Sequence, residues 1–182
     1  MSRRSEILDA ALACFTEYGY EQTTIDAIRA RSGASVGSIY HHFGGKEEIA
    51  GALYAEALRD YQSGLLAVMT GSAERTIKAM VRHHLRWVDA NPQLASFLFS
   101  LRMTTDEVRA LNRHAFDAVA AWRAEHAGEL QPLSFDAFYA VVIGPAQEAA
   151  RHRLAGRTQT PLRRLERELG DAAWRATKGD NA

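Results

Sequence analysis

Residues 23–46 read TTIDAIRARSGASVGSIYHHFGGK, and this stretch decides the fold. It spells two short helices joined by a tight turn, followed by the start of a third. Thr23 or Thr24 caps the first helix, and Asp26 stands where a capping-box acid belongs if Thr23 is the N-cap. Ile25 and Ile28 give that helix an inward face. Ser32-Gly33 stops it, because glycine takes the left-handed conformation that a sharp turn needs. Ser35 caps the second helix, in which Ile39 and Phe43 lie one turn apart and point inward.

With Ile39 at the buried centre, Gly37 and His41 fall on the far side of a helix of about 3.6 residues per turn. Ser38 and Tyr40 flank them, and Val36 and His42 stand at the border. The outer face is small, polar and aromatic, with almost no bulk at Gly37. Such a composition lets a backbone approach a groove closely. The pattern is a helix-turn-helix whose second helix is the reader.

The ordered features are Thr23-Thr24-Ile25, Ala27-Ile28, the Gly33-Ala34-Ser35 turn, the run from Gly37 to Phe43 and Lys46-Glu47-Glu48, with Ile7, Ala11 and Phe15 upstream. Together they resemble the N-terminal DNA-binding domain of TetR-type bacterial transcriptional regulators. The resemblance implies that Thr24, Ser35, Val36, Gly37, Ser38, Tyr40, His41, His42 and Lys46 meet DNA. Among these, Thr24, Tyr40, His42 and Lys46 would grip the phosphate backbone, Lys46 together with the N-terminus of its helix. One departure is Val36, where family members often carry Lys, Arg or Pro. A valine has no charge to offer, so it either meets a thymine methyl or packs.

The chain has 182 residues, 47% of them hydrophobic, enough for one domain or two small ones with a real core. No run of about 18 apolar residues offers a membrane span. The N-terminus shows no apolar signal-peptide core. Cys14 is the single cysteine, so no disulfide forms within the chain, and a reducing, cytoplasmic location fits. Net charge is zero, and residues 1–50 carry five cations against seven carboxylates, a net of −2. Any DNA binding then rests on the local placement of a few cations and on helix N-termini, not on a long-range field.

The remainder reads as helix throughout, about nine helices in all, because no segment alternates with period two at strand length. The first spans residues 3–18, with Ile7, Leu8, Ala11, Leu12 and Phe15 inward. Gly19 ends it and Tyr20 folds back. A connecting helix covers about 46–70. Gly71-Ser72 marks a boundary between a DNA-binding domain at 1–48 and a second domain at 71–182. There, helices are expected at about 73–90, from Pro92, and at about 104–127 behind a Thr104/Glu107 capping box. Another runs over 134–154, kinked at Gly144-Pro145, and the last over 161–177 with Thr160 as N-cap. Leu162, Leu165, Leu169 and Ala172 form a heptad-like seam on it. Residues beyond about Lys178 are expected to fray.

Seven histidines raise the question of a metal. His83 and His84 point to different faces of one helix, and no HxxxH or CxxC pair exists, so they read as core or interface residues with no metal. Paired carboxylates such as Glu47-Glu48 and Asp106-Glu107 lie near helix ends, where they complement the helix dipole. No serine sits in a nucleophile elbow. Gly44-Gly45-Lys46 lacks the spacing and the preceding strand of a phosphate-binding loop. Neither catalysis nor a cofactor has support. By resemblance, the second domain encloses a small-molecule cavity, with His84, Trp87, Phe97, Met103, Phe116, Trp122 and Phe138 as candidate lining.

The favoured reading is a ligand-responsive regulator, a repressor, that binds a palindromic double-stranded operator as a dimer and is released by a small-molecule effector. The homodimer would form through about 134–154 and 161–177, as the family implies. The competing reading is an all-helical enzyme or binding module whose helix-turn-helix is incidental.

Overall fold

In the computed structural model, residues 2–179 are described, and among them ten helical segments account for the regular structure. They are α1 (Arg3–Tyr18), α2 (Ile25–Ser32), α3 (Val36–His42), α4 (Lys46–Ala67), α5 (Ala73–Ala90), α6 (Pro92–Ser100), α7 (Asp106–Glu125), α8 (Phe135–Val142), α9 (Gly144–Leu154) and α10 (Leu162–Thr177). The fold class is all-α. The helix expected over 134–154 is broken rather than kinked, with Ile143 between α8 and α9. Pro145 has no N–H to continue the ladder and its ring crowds the preceding turn. Counted as one broken helix, α8 and α9 bring the total to the expected nine.

Local chemistry sets the boundaries. Thr24, not Thr23, caps α2, its hydroxyl oxygen accepting from Ala27 N at 3.1 Å. Thr23 is buried and donates its hydroxyl to Gly19 O at 2.8 Å. Asp26 pairs with Arg29 instead of closing a capping box. Gly33 ends α2 with φ 65°, a left-handed conformation that only glycine enters without strain. Ser35 caps α3 as its sequence position suggests. At α7 the capping hydroxyl is Thr105, which accepts from Val108 N at 3.3 Å, one residue after the expected Thr104. α10 begins at Leu162 behind Pro161, without a side-chain cap; Thr160 gives its carbonyl to Arg153 instead. The expected fraying beyond Lys178 concerns mainly residues 180–182, outside the described residues.

The chain divides into two compact units. One is Met1–Arg59 with Gln93–Leu111, the other Asp60–Pro92 with Asn112–Ala182. The cuts therefore fall inside α4 and α7, not at Gly71, and most of α6 joins the N-terminal unit. The reason is Phe97, which is 3% exposed and stacks on Phe15 at 5.4 Å between ring centres. It completes a core of Ile7, Leu8, Ala11, Ile28, Ile39 and Ile49. At about 25 cal/mol per Å² of apolar surface, each fully buried isoleucine there contributes roughly 2 kcal/mol.

In the second unit α10 packs chiefly on α5. Glu166 meets Arg86 at 2.6 Å, Asp171 meets Lys78 at 2.7 Å, and Gly170 lies against Lys78. The buried residues of α10 are Gly170, Ala173 and Thr177. With Glu166 they recur every three or four residues and make the face that is covered within the chain. Leu162, Leu165 and Leu169 stay half-buried and Ala172 is exposed. At about 100° per residue this leucine seam lies roughly a quarter turn from the covered face.

Candidate nucleic-acid interface

The turn and caps described above present α3 with one face inward. Ile39 is fully buried and Phe43 nearly so. Val36 is 45% and Tyr40 54% exposed, the two apolar or aromatic groups of the reader helix that face outward. Gly37, His41 and His42 are exposed as well, and Ser38 is half-exposed. Val36 thus resolves as an outward residue rather than a packing one. A Cβ built on Gly37 meets nothing within 4 Å, so glycine is not required there by the protein's own packing.

Two capping hydroxyls lie at the edge of this surface. Thr24 and Ser35 each accept a backbone N–H, which leaves each O–H proton able to donate outward. The imidazoles of His41 and His42 contact each other edge-on at 5.2 Å, and neither makes a hydrogen bond or ion pair among the described residues.

Lys46 is engaged within the chain. Its ammonium donates to Tyr20 O at 2.9 Å and Glu21 O at 3.0 Å and sits over the Tyr20 ring at 4.7 Å. It fastens the turn after α1 to the start of α4, with two of its three protons committed. Just ahead of α4, the Glu48 carboxylate accepts from Gly44 N at 2.9 Å.

The residues expected to line a ligand cavity are not brought together. Phe97 belongs to the core of the N-terminal unit and Met103 packs against it. Phe116 is 46% exposed and meets Phe135 edge-on at 5.1 Å, at the surface of the protomer. The other four lie in the second unit as two pairs. His84 and Trp87 gather round Tyr61, whose hydroxyl is 2.9 Å from His84 Nδ1 and whose ring is 5.3 Å from that of Trp87. Trp122 and Phe138 approach at 6.3 Å.

Two further hydrogen bonds involve the same stretch of α4. Trp87 Nε1 donates to Asp60 at 2.7 Å, and Gln62 donates to Asn112 at 2.9 Å. Burial, with the neighbouring His83 imidazole, pushes His84 down to about 4. Burial also raises the Tyr61 phenol and lowers His83. Trp122 Nε1 is a buried donor with no acceptor among the described residues. Sequence reading missed Tyr61, Asp60 and Gln62 as polar groups of this region, because their partners lie more than twenty residues away and no local spacing announces them. No group of three His, Cys, Asp or Glu suited to a metal ion occurs among the described residues.

Residues 7–53 match the family described as bacterial regulatory proteins, tetR family. The N-terminal domain is of the TetR type. An HTH-type transcriptional repressor, AcnR, of Corynebacterium efficiens is 40% identical over 79 residues, 41% of this chain and 42% of that protein. The repressor KstR2 of Mycobacterium tuberculosis is 37% identical over 81 residues, 44% of this chain and 38% of its own length. The matched region thus spans about two fifths of these curated relatives. The fold similarity extends over the whole chain. A TetR family regulator from Marinobacter aquaeolei superposes with a TM-score of 0.84 at 16% identity, covering 97% of this chain and 95% of the other. FadR of Bacillus subtilis, solved in complex with stearoyl-CoA, gives 0.79 at 18% identity over 94% and 98%. Among the described residues no helix is long and apolar enough to cross a membrane.

Proposed function

We propose that this protein is a DNA-binding transcriptional repressor. It would bind a two-fold operator as a homodimer and be released by a small-molecule effector. The observation that carries this reading is the outer face of α3. Val36, Gly37, Ser38, Tyr40, His41 and His42 stand outward on a helix anchored by Ile39 and Phe43, within a domain of TetR type. In this reading Gly37 and its neighbours enter the major groove. Thr24, Tyr40 and His42 hold phosphates, and Lys46 supports the turn behind them. The repressor sense is supported by the names of the relatives. Work on DNA sets the site of action in the bacterial cytoplasm.

Two features of the second unit support the remaining parts. The half-buried leucine seam of α10 lies beside the face that α5 covers, so it is available to a two-fold mate. The buried indole N–H of Trp122, the Tyr61–His84 pair and the Gln62–Asn112 pair are polar groups of the kind by which a small molecule is recognised. The test is selection of bound duplexes from a random-sequence library, followed by mobility shift. Enrichment of a palindromic site is expected. Recovery of no duplex above background sinks the proposal.

A further inference from the structure

The cations of the DNA-binding part are all engaged. Arg3 pairs with Glu6 at 2.7 Å, Arg4 with Glu56 at 2.5 Å, Arg29 with Asp26 at 3.3 Å and Arg31 with Glu17 at 2.6 Å. Lys46 is held by two carbonyls, and Arg59 pairs with Glu107. No lysine or arginine of residues 2–59 is left over. Residues 1–59 hold six cations against eight carboxylates, a net of −2 with histidine neutral. Surface pairs of this kind are individually weak and exchange with solvent. Releasing an arginine to a phosphate nevertheless leaves its carboxylate behind, beside the same phosphate.

Against this, His41 and His42 are exposed on the outer face of α3 with no ion pair. Imidazole is the one side chain whose ordinary titration lies between about pH 5 and 8. Protonation of both would cancel the net −2 of residues 1–59. Charged groups from several elements surround them. His42 lines a groove with Arg4, Glu47, Glu48, Asp106 and Glu107. Arg4 in that groove is already paired, and Glu48 accepts from Gly44. α2, which packs on α3, brings Asp26, Arg29 and Arg31, the two arginines both paired.

We infer that DNA binding by this protein is proton-linked: His41 and His42, as imidazolium ions, supply the uncompensated positive charge of the reader surface, so affinity rises as pH falls from about 8 to about 6. This rests on the DNA-binding reading above and adds its regulation. The sign follows from the chemistry. A phosphate stabilises imidazolium over imidazole, so the complex binds more protons than the free protein, and lowering pH drives association. Each imidazolium that meets a phosphate also releases about one more counterion from the duplex.

Fluorescence anisotropy with two labelled duplexes of about 30 base pairs tests this, one of mixed sequence and one enriched from the library by the wild-type chain. For both duplexes, affinity should be roughly tenfold higher at about pH 6 than at about pH 8, with a steeper salt slope at the lower pH. The His41→Gln/His42→Gln variant keeps polar side chains at exposed positions, so its melting should match the wild type. Its affinity should change less than about twofold across the same range. Equal wild-type affinity at both pH values overturns the inference. So does a double variant that keeps the full dependence, which would place the linkage elsewhere in the chain. Absence of binding to either duplex at either pH means instead that the DNA-binding reading itself has failed.

Discussion

Gly37 is occupied by the smallest side chain although nothing in the protein crowds it. In the DNA-binding reading proposed above its use is external: added bulk would meet the groove wall and not the core. Gly37→Leu should leave the melting temperature unchanged or slightly higher, since leucine favours helix by roughly 0.5–1 kcal/mol over glycine. Operator binding should fall at least about a hundredfold, a loss of near 3 kcal/mol. Unchanged affinity for the enriched duplex would remove Gly37 from the interface. Lys46 belongs to the opposite case, a charged residue turned to internal use. Lys46→Met should cost about 1–2 kcal/mol in urea unfolding, because two carbonyls lose a charged donor. Its effect on the salt slope of DNA binding should be small. A slope flattened by about one unit would return the ammonium to a phosphate.

His84 makes a further residue-level prediction. Its folded pKa is lowered from the ordinary histidine value to about 4 by burial and by His83. The folded state therefore favours the neutral ring. This contribution is fully present above about pH 6.5 and is lost as pH falls toward about 4, amounting to roughly 3 kcal/mol. Carboxylates titrate over the lower part of the same window, so the informative quantity is the difference from His84→Gln. The variant should lose less stability on acidification than the wild type. Parallel curves would show that His84 does not carry the pH dependence.

Elements in this fold are held by small residues where helices approach. A Cβ on Gly170 would lie 3.5 Å from Lys78 Cα, Cβ and Cγ, ordinary contact for alanine but no room for more. Gly170→Ala should therefore be tolerated. Gly170→Leu should push α10 from α5 and cost about 1–3 kcal/mol by overpacking. The leucine face a quarter turn away behaves differently. Leu165 and Leu169 are half-buried in the single chain. Replacing both with glutamate should leave a folded, helical protomer by circular dichroism, since the covered face of α10 is untouched. Substantial unfolding of that variant would assign the seam to the monomer core.

The whole molecule works, in this reading, only as a pair. One reader helix of seven residues and a chain with zero net charge give too few contacts for tight binding. Sedimentation of the wild type at micromolar concentration should show a dimer, and the Leu165→Glu/Leu169→Glu variant a monomer with weakened operator affinity. A wild-type monomer would end the two-fold model regardless of the variants.

Sequence alone determined the features that rest on neighbours a few residues apart. Gly33 must take positive φ, Ser35 caps whatever follows it, and Ile39 with Phe43 fix which side of α3 faces out. These are backbone and one-turn effects, so three- and four-residue spacing records them. What only the tertiary structure decided joins residues far apart in the chain. Lys46 reaches carbonyls 25 and 26 residues back, and Tyr61 meets His84 across 23. Phe97 stacks on Phe15, which placed most of α6 in the N-terminal unit and set Phe97 and Met103 in or against its core. An aromatic stripe looks the same in sequence whichever core it enters. Packing chooses between them, because burial rewards apolar area without regard to position along the chain.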